Sequence, residues 1–216
     1  MSRTVIAPSI LAGDFSKLDE EIRKVEMVEN SWLHLDIMDG NFVPNISFGP
    51  CVVKGIRRLT ERFLDVHLMV NHPELLVKPF AGIPVELITF HIEETTFPLR
   101  IIQKIKNSGT KVGISLNPFT HLDTVASVLS LVDLLLIMSV EPGFAGQKFI
   151  DSSLEKIKKA KEIRKKMNLG FLIEVDGGIN DSNLKIVTEA GADVVVLGSF
   201  FFENDLKKVK EAIESI

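Results

Sequence analysis

A single cysteine, Cys51, in a chain of 216 residues excludes an intramolecular disulfide and fits a reducing compartment. No block of Lys and Arg is interleaved with aromatic residues. The 25 basic and 29 acidic side chains are spread along the chain to a net charge of −4, so nothing is arranged to neutralise a nucleic-acid backbone. No run approaches the ~18 apolar residues of a membrane span. The opening MSRTVIAPSI also lacks an apolar stretch long enough for a secretory signal. The expectation is a cytoplasmic protein with neither a nucleic-acid nor a membrane partner. Three motifs are absent as well: a GxGxxG turn with an acidic partner at dinucleotide spacing, a DxKxxD strand, and a lysine ending any apolar run. Their absence counts against a dinucleotide-binding open sheet, an orotidine-decarboxylase-type site and a Schiff-base aldolase, respectively.

Eight short, β-branched apolar runs are present, at 5–10, 32–38, 63–70, 85–92, 111–116, 133–140, 171–176 and 193–199. Between them apolar residues recur at three- and four-residue spacing, most clearly over 15–28, 97–109, 152–167, 180–191 and 203–216. Gly109 and Gly191 fall where C-terminal helix caps belong. Strands that are apolar on both faces, alternating with helices and free of hairpin signals, predict an all-parallel sheet covered by helices. The fold class expected is α/β, a single-domain (β/α)8 TIM barrel spanning residues 1–216, near the lower end of the size range for that fold. No linker or low-complexity tract marks a domain boundary.

A barrel keeps its active site at the C-terminal ends of its strands, so polar residues there are informative. They are Ser9, His34, Asp36, His67, His91, Asn117, Asp176 and Ser199. His34 and Asp36, two apart, share one strand face, and His67 ends the next strand. Asp176 ends the seventh, about three steps round an eight-strand ring from the second, and reaches toward the same centre. Two imidazoles and two carboxylates suit a divalent metal, Zn or Fe ahead of Mg or Ca, with Mn and Co as further candidates. Glycines at Glu141-Pro142-Gly143-Phe144-Ala145-Gly146-Gln147, Asp176-Gly177-Gly178 and Gly198-Ser199 follow three adjacent strands, where backbone amides can approach a phosphate. Met38 and Met69, each two residues past a proposed ligand, share its face and, with Met138, form a polarisable wall. Asp65 lies one layer below His67 and is placed either to orient that imidazole or as a buried, paired carboxylate. His91 fits a substrate contact or a structural hydrogen bond. His72 belongs to a helix start, His121 to the surface, and Cys51 to the buried apolar set.

The series APSILAGDF, HLDIMDGNFVPNISFGP, DVHLMV, FHIEE, KVGISLNP, MSVEPGFAGQKFI, EVDGGI and AGADVVVLGS resembles the ribulose-phosphate 3-epimerase family nearly end to end. The resemblance implies a divalent metal held by His34, Asp36, His67 and Asp176, with the two aspartates as the acid–base pair. It implies Ser9 and His67 as substrate contacts, and Gly143, Phe144, Ala145, Gly146, Gly177, Gly178, Gly198 and Ser199 around the phosphate. It further implies a phosphorylated ketose substrate, a place in the pentose phosphate pathway and a homo-oligomer. Inversion beside a ketone removes a proton from one face and returns one to the other through a planar enediolate, which Asp36 and Asp176 on separated strands suit. Ala145 stands where the family usually has glycine, and Ala12-Gly13-Asp14 where it usually has SAD. Allulose-6-phosphate 3-epimerases share PGFAGQ, so a six-carbon ketose phosphate is the alternative substrate. Gly177-Gly178-Ile179 and ISFGP at 46–50 side with the ribulose enzymes. A non-catalytic sugar-phosphate-binding barrel is the alternative of another class.

Overall fold

Runs of Val, Ile and Leu without polar alternation are stable as strands only where both faces are covered, and this chain uses them so. The structure, a computed structural model, describes residues 4–80 and 82–216. Its strands are β1 (Val5–Pro8), β2 (Leu33–Met38), β3 (Leu64–Met69), β4 (Leu87–His91), β5 (Lys111–Leu116), β6 (Leu134–Met138), β7 (Leu172–Asp176) and β8 (Val194–Leu197). All pair in parallel, in the order β1-β8-β7-β6-β5-β4-β3-β2. Parallel bridges Ile6–Ser31 and Ser9–His34 join β1 to β2 and close the ring. The protein is a (β/α)8 TIM barrel.

The helices are α1 (Leu18–Glu26), α2 (Pro50–Ile56), α3 (Glu74–Phe80), α4 (Pro98–Asn107), α5 (Ser153–Lys166), α6 (Leu184–Ala190), α7 (Ser199–Phe202) and α8 (Leu206–Glu214). Gly191 caps α6 with φ +132°, and Gly109, φ +82°, follows the cap of α4, as the sequence indicated. The eight expected β-then-α units are incomplete at one place. Between β5 and β6 the described residues form two 3₁₀ turns, Leu122–Thr124 and Leu129–Leu131, and no α-helix. Pro118 early in this segment and its scattered Thr and Ser residues weaken helix propagation. Cys51, expected among the buried apolar residues, is exposed, because the short α2 turns Val53 and Ile56 inward instead.

Strand parity divides the core in two. Outward-facing residues such as Leu35, Val66, Phe90, Ile114, Ile137 and Val195 pack under the helices. Inward-facing Ala7, Leu87, Leu134, Leu136, Val194 and Val196 fill the barrel itself. Among them lies a polar group of fully buried side chains: His34, Asp65, Thr89, Ser115 and Glu174. A buried polar layer without enough partners is costly, so its position near the mouth calls for a chemical reason.

Candidate active site

Register brings the first three cluster residues together. In the β2–β3 pair, Asp36 faces His67 and His34 faces Asp65, so two layers of acid and imidazole are stacked at the C-terminal end of the barrel. Asp176 arrives at the end of β7. One ligand atom from each of His34, Asp36, His67 and Asp176 lies within 4.8 Å of the others. His67 Nδ1 is 2.9 Å from Asp36 Oδ1, and Ser9 Oγ donates to Asp36 Oδ2 at 2.5 Å. His34 Nε2 comes within 3.3 Å of the same Asp36 Oδ1 but makes no hydrogen bond, leaving an orphaned nitrogen in a side chain with no exposure. Two nitrogens and two carboxylate oxygens converging with one lone pair unsatisfied fit a divalent cation.

The surroundings drive the two aspartates apart in acidity. Burial would raise Asp36, but His34 and His67 outweigh it and hold the carboxyl well below the usual range. Burial and the neighbouring Asp36 charge both lift Asp176, to about 7. Burial alone would depress His34, yet Asp36 and Asp65 together raise it well above an ordinary histidine. Burial, reinforced by His91, takes His67 down to about 4 despite its bond to Asp36. Asp65 does not orient His67. Its Oδ2 lies 2.6 Å from His34 Nδ1, because the cross-strand register sets it opposite His34. Glu174, two residues before Asp176 and fully buried, completes this lower layer 3.5 Å from His34 Nδ1, and burial beside Asp65 keeps its carboxyl well above the usual range.

Above the cluster opens a cavity of about 370 Å³. Ser9, Asp36 and Asp176 are on its wall, as are Met38, Met69 and Met138, the three methionines expected there. Gly143, Phe144, Ala145, Gly146, Gly177, Gly178, Gly198 and Ser199 line its other side, so all three glycine-rich turns reach one space. His34 and His67 lie beneath the floor with no exposure. His91 is equally buried, and Asn117 turns its backbone toward Glu93 rather than the cavity. His72 and His121 stand outside, on a turn before α3 and before a 3₁₀ turn.

Close packing fixes the glycine turns. A Cβ on Gly178 (φ +66°) would stand 2.3 Å from Phe149 N, so the loop after β7 seats directly on the backbone of the loop after β6. On the opposite side, Asn45 in the loop after β2 donates to the Gly143 carbonyl at 2.8 Å, which joins two loops over the site. Neither Asn45 nor Glu174 was singled out by the sequence. Glu174 was detectable by its parity with Asp176, whereas Asn45 carries no local signal.

A closed parallel barrel whose mouth gathers paired carboxylates, two imidazoles and glycine-rich turns has the build of a (β/α)8-barrel enzyme. The profile of the ribulose-phosphate 3-epimerase family matches residues 5–202, and the chain belongs to that family. A ribulose-phosphate 3-epimerase of Helicobacter pylori is 44% identical, over 98% of this chain and 95% of its own. Its namesake in Synechocystis sp. is 47% identical over 92% and 87%, and that of Bacillus subtilis 44% over 94% of each. Among solved structures, a tryptophan synthase alpha-subunit from Pyrococcus furiosus superposes with a TM-score of 0.72, covering 99% of this chain and 98% of its own. At 15% identity that likeness concerns the fold alone.

Proposed function

We propose that the protein interconverts D-ribulose 5-phosphate and D-xylulose 5-phosphate by inversion at C3, with Asp36 and Asp176 as the two proton carriers. The observation that carries this reading is the pair itself: two carboxylates at the cavity wall, from β2 and β7, with acidities driven apart by their surroundings. Such a divergence suits a pair that starts with one group ionised and the other protonated. One carboxylate removes the C3 proton, the electrons pass into a planar enediolate across C2 and C3, and the other carboxylate delivers a proton to the opposite face. The reverse reaction exchanges the roles. Ser9, bonded to Asp36, fixes the orientation of that carboxylate. His34, Asp36, His67 and Asp176 would hold a divalent cation, Zn or Fe by the donor set, which supplies positive charge for the oxygens next to the reacting carbon.

Met38, Met69 and Met138 give the planar intermediate an apolar wall that keeps water from protonating it at random. The turns at Gly143–Gly146, Gly177–Gly178 and Gly198–Ser199 receive the phosphate, as loops after the last strands of such barrels do. The test is turnover of ribulose 5-phosphate and of allulose 6-phosphate, each with and without a chelator. Chelator-sensitive epimerisation favouring the five-carbon substrate is expected. Preference for the six-carbon substrate would overturn the substrate assignment, and binding without turnover would overturn the enzyme.

A further inference from the structure

The two imidazoles of the cluster present different atoms. His34 turns Nε2 toward Asp36 and Nδ1 toward Asp65, whereas His67 turns Nδ1 toward Asp36 and Nε2 away. A neutral imidazole has one N–H and one lone pair, and only the lone pair binds a cation. Each ring must therefore carry its proton on the nitrogen facing away from the cluster, and the two rings need opposite tautomers. For His34 the cause is adjacent, since the Asp65 carboxylate accepts a hydrogen bond at 2.6 Å and has none to give. For His67 it is not. The neighbour of its Nε2 is His91 Nε2, 2.9 Å away, and a second imidazole donates or accepts equally well.

The ambiguity is resolved one residue further out. His91 Nδ1 lies 3.2 Å from Glu93 Oε2. A carboxylate accepts only, so His91 donates from Nδ1 and keeps its lone pair on Nε2. His67 then donates from its own Nε2 and leaves Nδ1 free toward the cluster. Glu93 is itself fixed in place: its other oxygen accepts from the Asn117 amide at 2.8 Å and from the Thr120 hydroxyl. Lys156 of α5 donates to the carbonyls of Asn117, Pro118 and Thr120 at 2.9, 2.7 and 2.8 Å, which secures the loop supplying those donors. The Phe42 ring, 4.6 Å from that of His91 between centroids, covers the imidazole. Neither His91 nor Glu93 reaches the substrate cavity.

We propose that His91 and Glu93 are positioning residues that make Nδ1 the cation-binding atom of His67, through a one-way chain of hydrogen bonds from His67 to His91 to Glu93. This rests on the reading that His34, Asp36, His67 and Asp176 hold a divalent cation. The substitution Glu93→Gln reverses the chain. The amide oxygen must face the Asn117 and Thr120 donors, which turns the –NH2 toward His91 Nδ1. His91 then carries its proton on Nε2, against His67.

The direct test uses the unaltered protein, labelled with ¹⁵N-histidine and loaded with Zn²⁺, in which long-range ¹H–¹⁵N spectra report the protonated nitrogen of each ring. Protons on His67 Nε2 and His91 Nδ1 are expected. A proton on His91 Nε2 with Nδ1 bare, or His67 binding through Nε2, would overturn the proposal. Zn²⁺ affinity by chelator competition gives a second readout. Glu93→Gln and His91→Leu should bind about 10–100-fold more weakly, the usual effect of losing a partner behind a ligand. His91→Gln, whose amide oxygen can accept from His67, should recover part of the loss. Unchanged affinity in Glu93→Gln, or equal affinity in the Leu and Gln variants, would sink the chain while leaving the cation site intact. If the unaltered protein binds no Zn²⁺, the cation reading fails first.

Discussion

Gly178 carries two demands that separate experimentally. Its φ of +66° lies in the left-handed region, and its missing Cβ leaves room for the backbone of the neighbouring loop. Gly109 has the first demand without the second, since at φ +82° an added Cβ meets nothing within 4 Å. Gly109→Ala should therefore cost about 1–2 kcal/mol, the ordinary penalty of a Cβ in that conformation. Gly178→Ala adds contacts of 2.3 Å to Phe149 N and 2.8 Å to Gln147 O and Lys148 C, all backbone atoms that no rotamer change can move. Overpacking of that kind costs roughly 1–3 kcal/mol more, for a total of about 2–5 kcal/mol. Urea unfolding of the metal-free variants, compared at unchanged m, measures both. Because the displaced loop also lines the cavity, KM for the phosphorylated substrate should rise in Gly178→Ala and not in Gly109→Ala. Equal destabilisation of the two variants would refute the close-approach argument.

Burial would raise the Glu93 carboxyl, but bonds from His91, Thr120 and the Asn117 amide bring it down to about 2, so its contribution to stability is whole above the ordinary value of 4.5 and is lost as pH falls toward 2. In chelator-treated protein the stability gap between wild type and Glu93→Gln should narrow from pH 6 to pH 3, and a constant gap would contradict this. Zn²⁺ at about 100 times its Kd should stabilise the fold by ~2.7 kcal/mol and raise Tm, an effect reduced in Asp176→Asn. An unchanged Tm in active, Zn-loaded protein would count against the four-residue site. Cys51, being exposed, should react with a thiol reagent in the native protein, one thiol per chain. Reaction only after unfolding would contradict its placement.

All eight strands were legible as near-continuous, β-branched apolar runs, and α1, α4, α5, α6 and α8 as apolar stripes at three- and four-residue spacing. No stripe marked α2, seven residues with Gly55 inside, and of α3, seven residues containing Pro79, only the start beside His72 was marked. The crossover after β5 was read as one more helix by extending the alternation. At the site, parity placed His34, Asp36, His67, Asp176, Met38 and Met69 on the inward face. Parity set Asp65 one layer below His67, where it is a buried, paired carboxylate, but parity does not give register between strands, so the partner it faces, His34, was not legible. The chain from His67 through His91 to Glu93 crosses from β3 to β4 and the 3₁₀ turn after it, where donors from the loop after β5 hold Glu93, a path with no signature in any one segment.

Two proton carriers acting on opposite faces of one carbon leave a distinct isotope pattern, and the isotope content of the first turnover in D₂O reads it without any variant. The carrier that removes hydrogen from C3 is not the one that returns it. Xylulose 5-phosphate formed early should therefore contain solvent deuterium at C3, while ribulose 5-phosphate recovered at the same moment still holds its original hydrogen. Product that retains the substrate's own hydrogen, or equal deuterium in both pools from the start, would mean that one group serves both faces, and the assignment of Asp36 and Asp176 as separate carriers would be wrong.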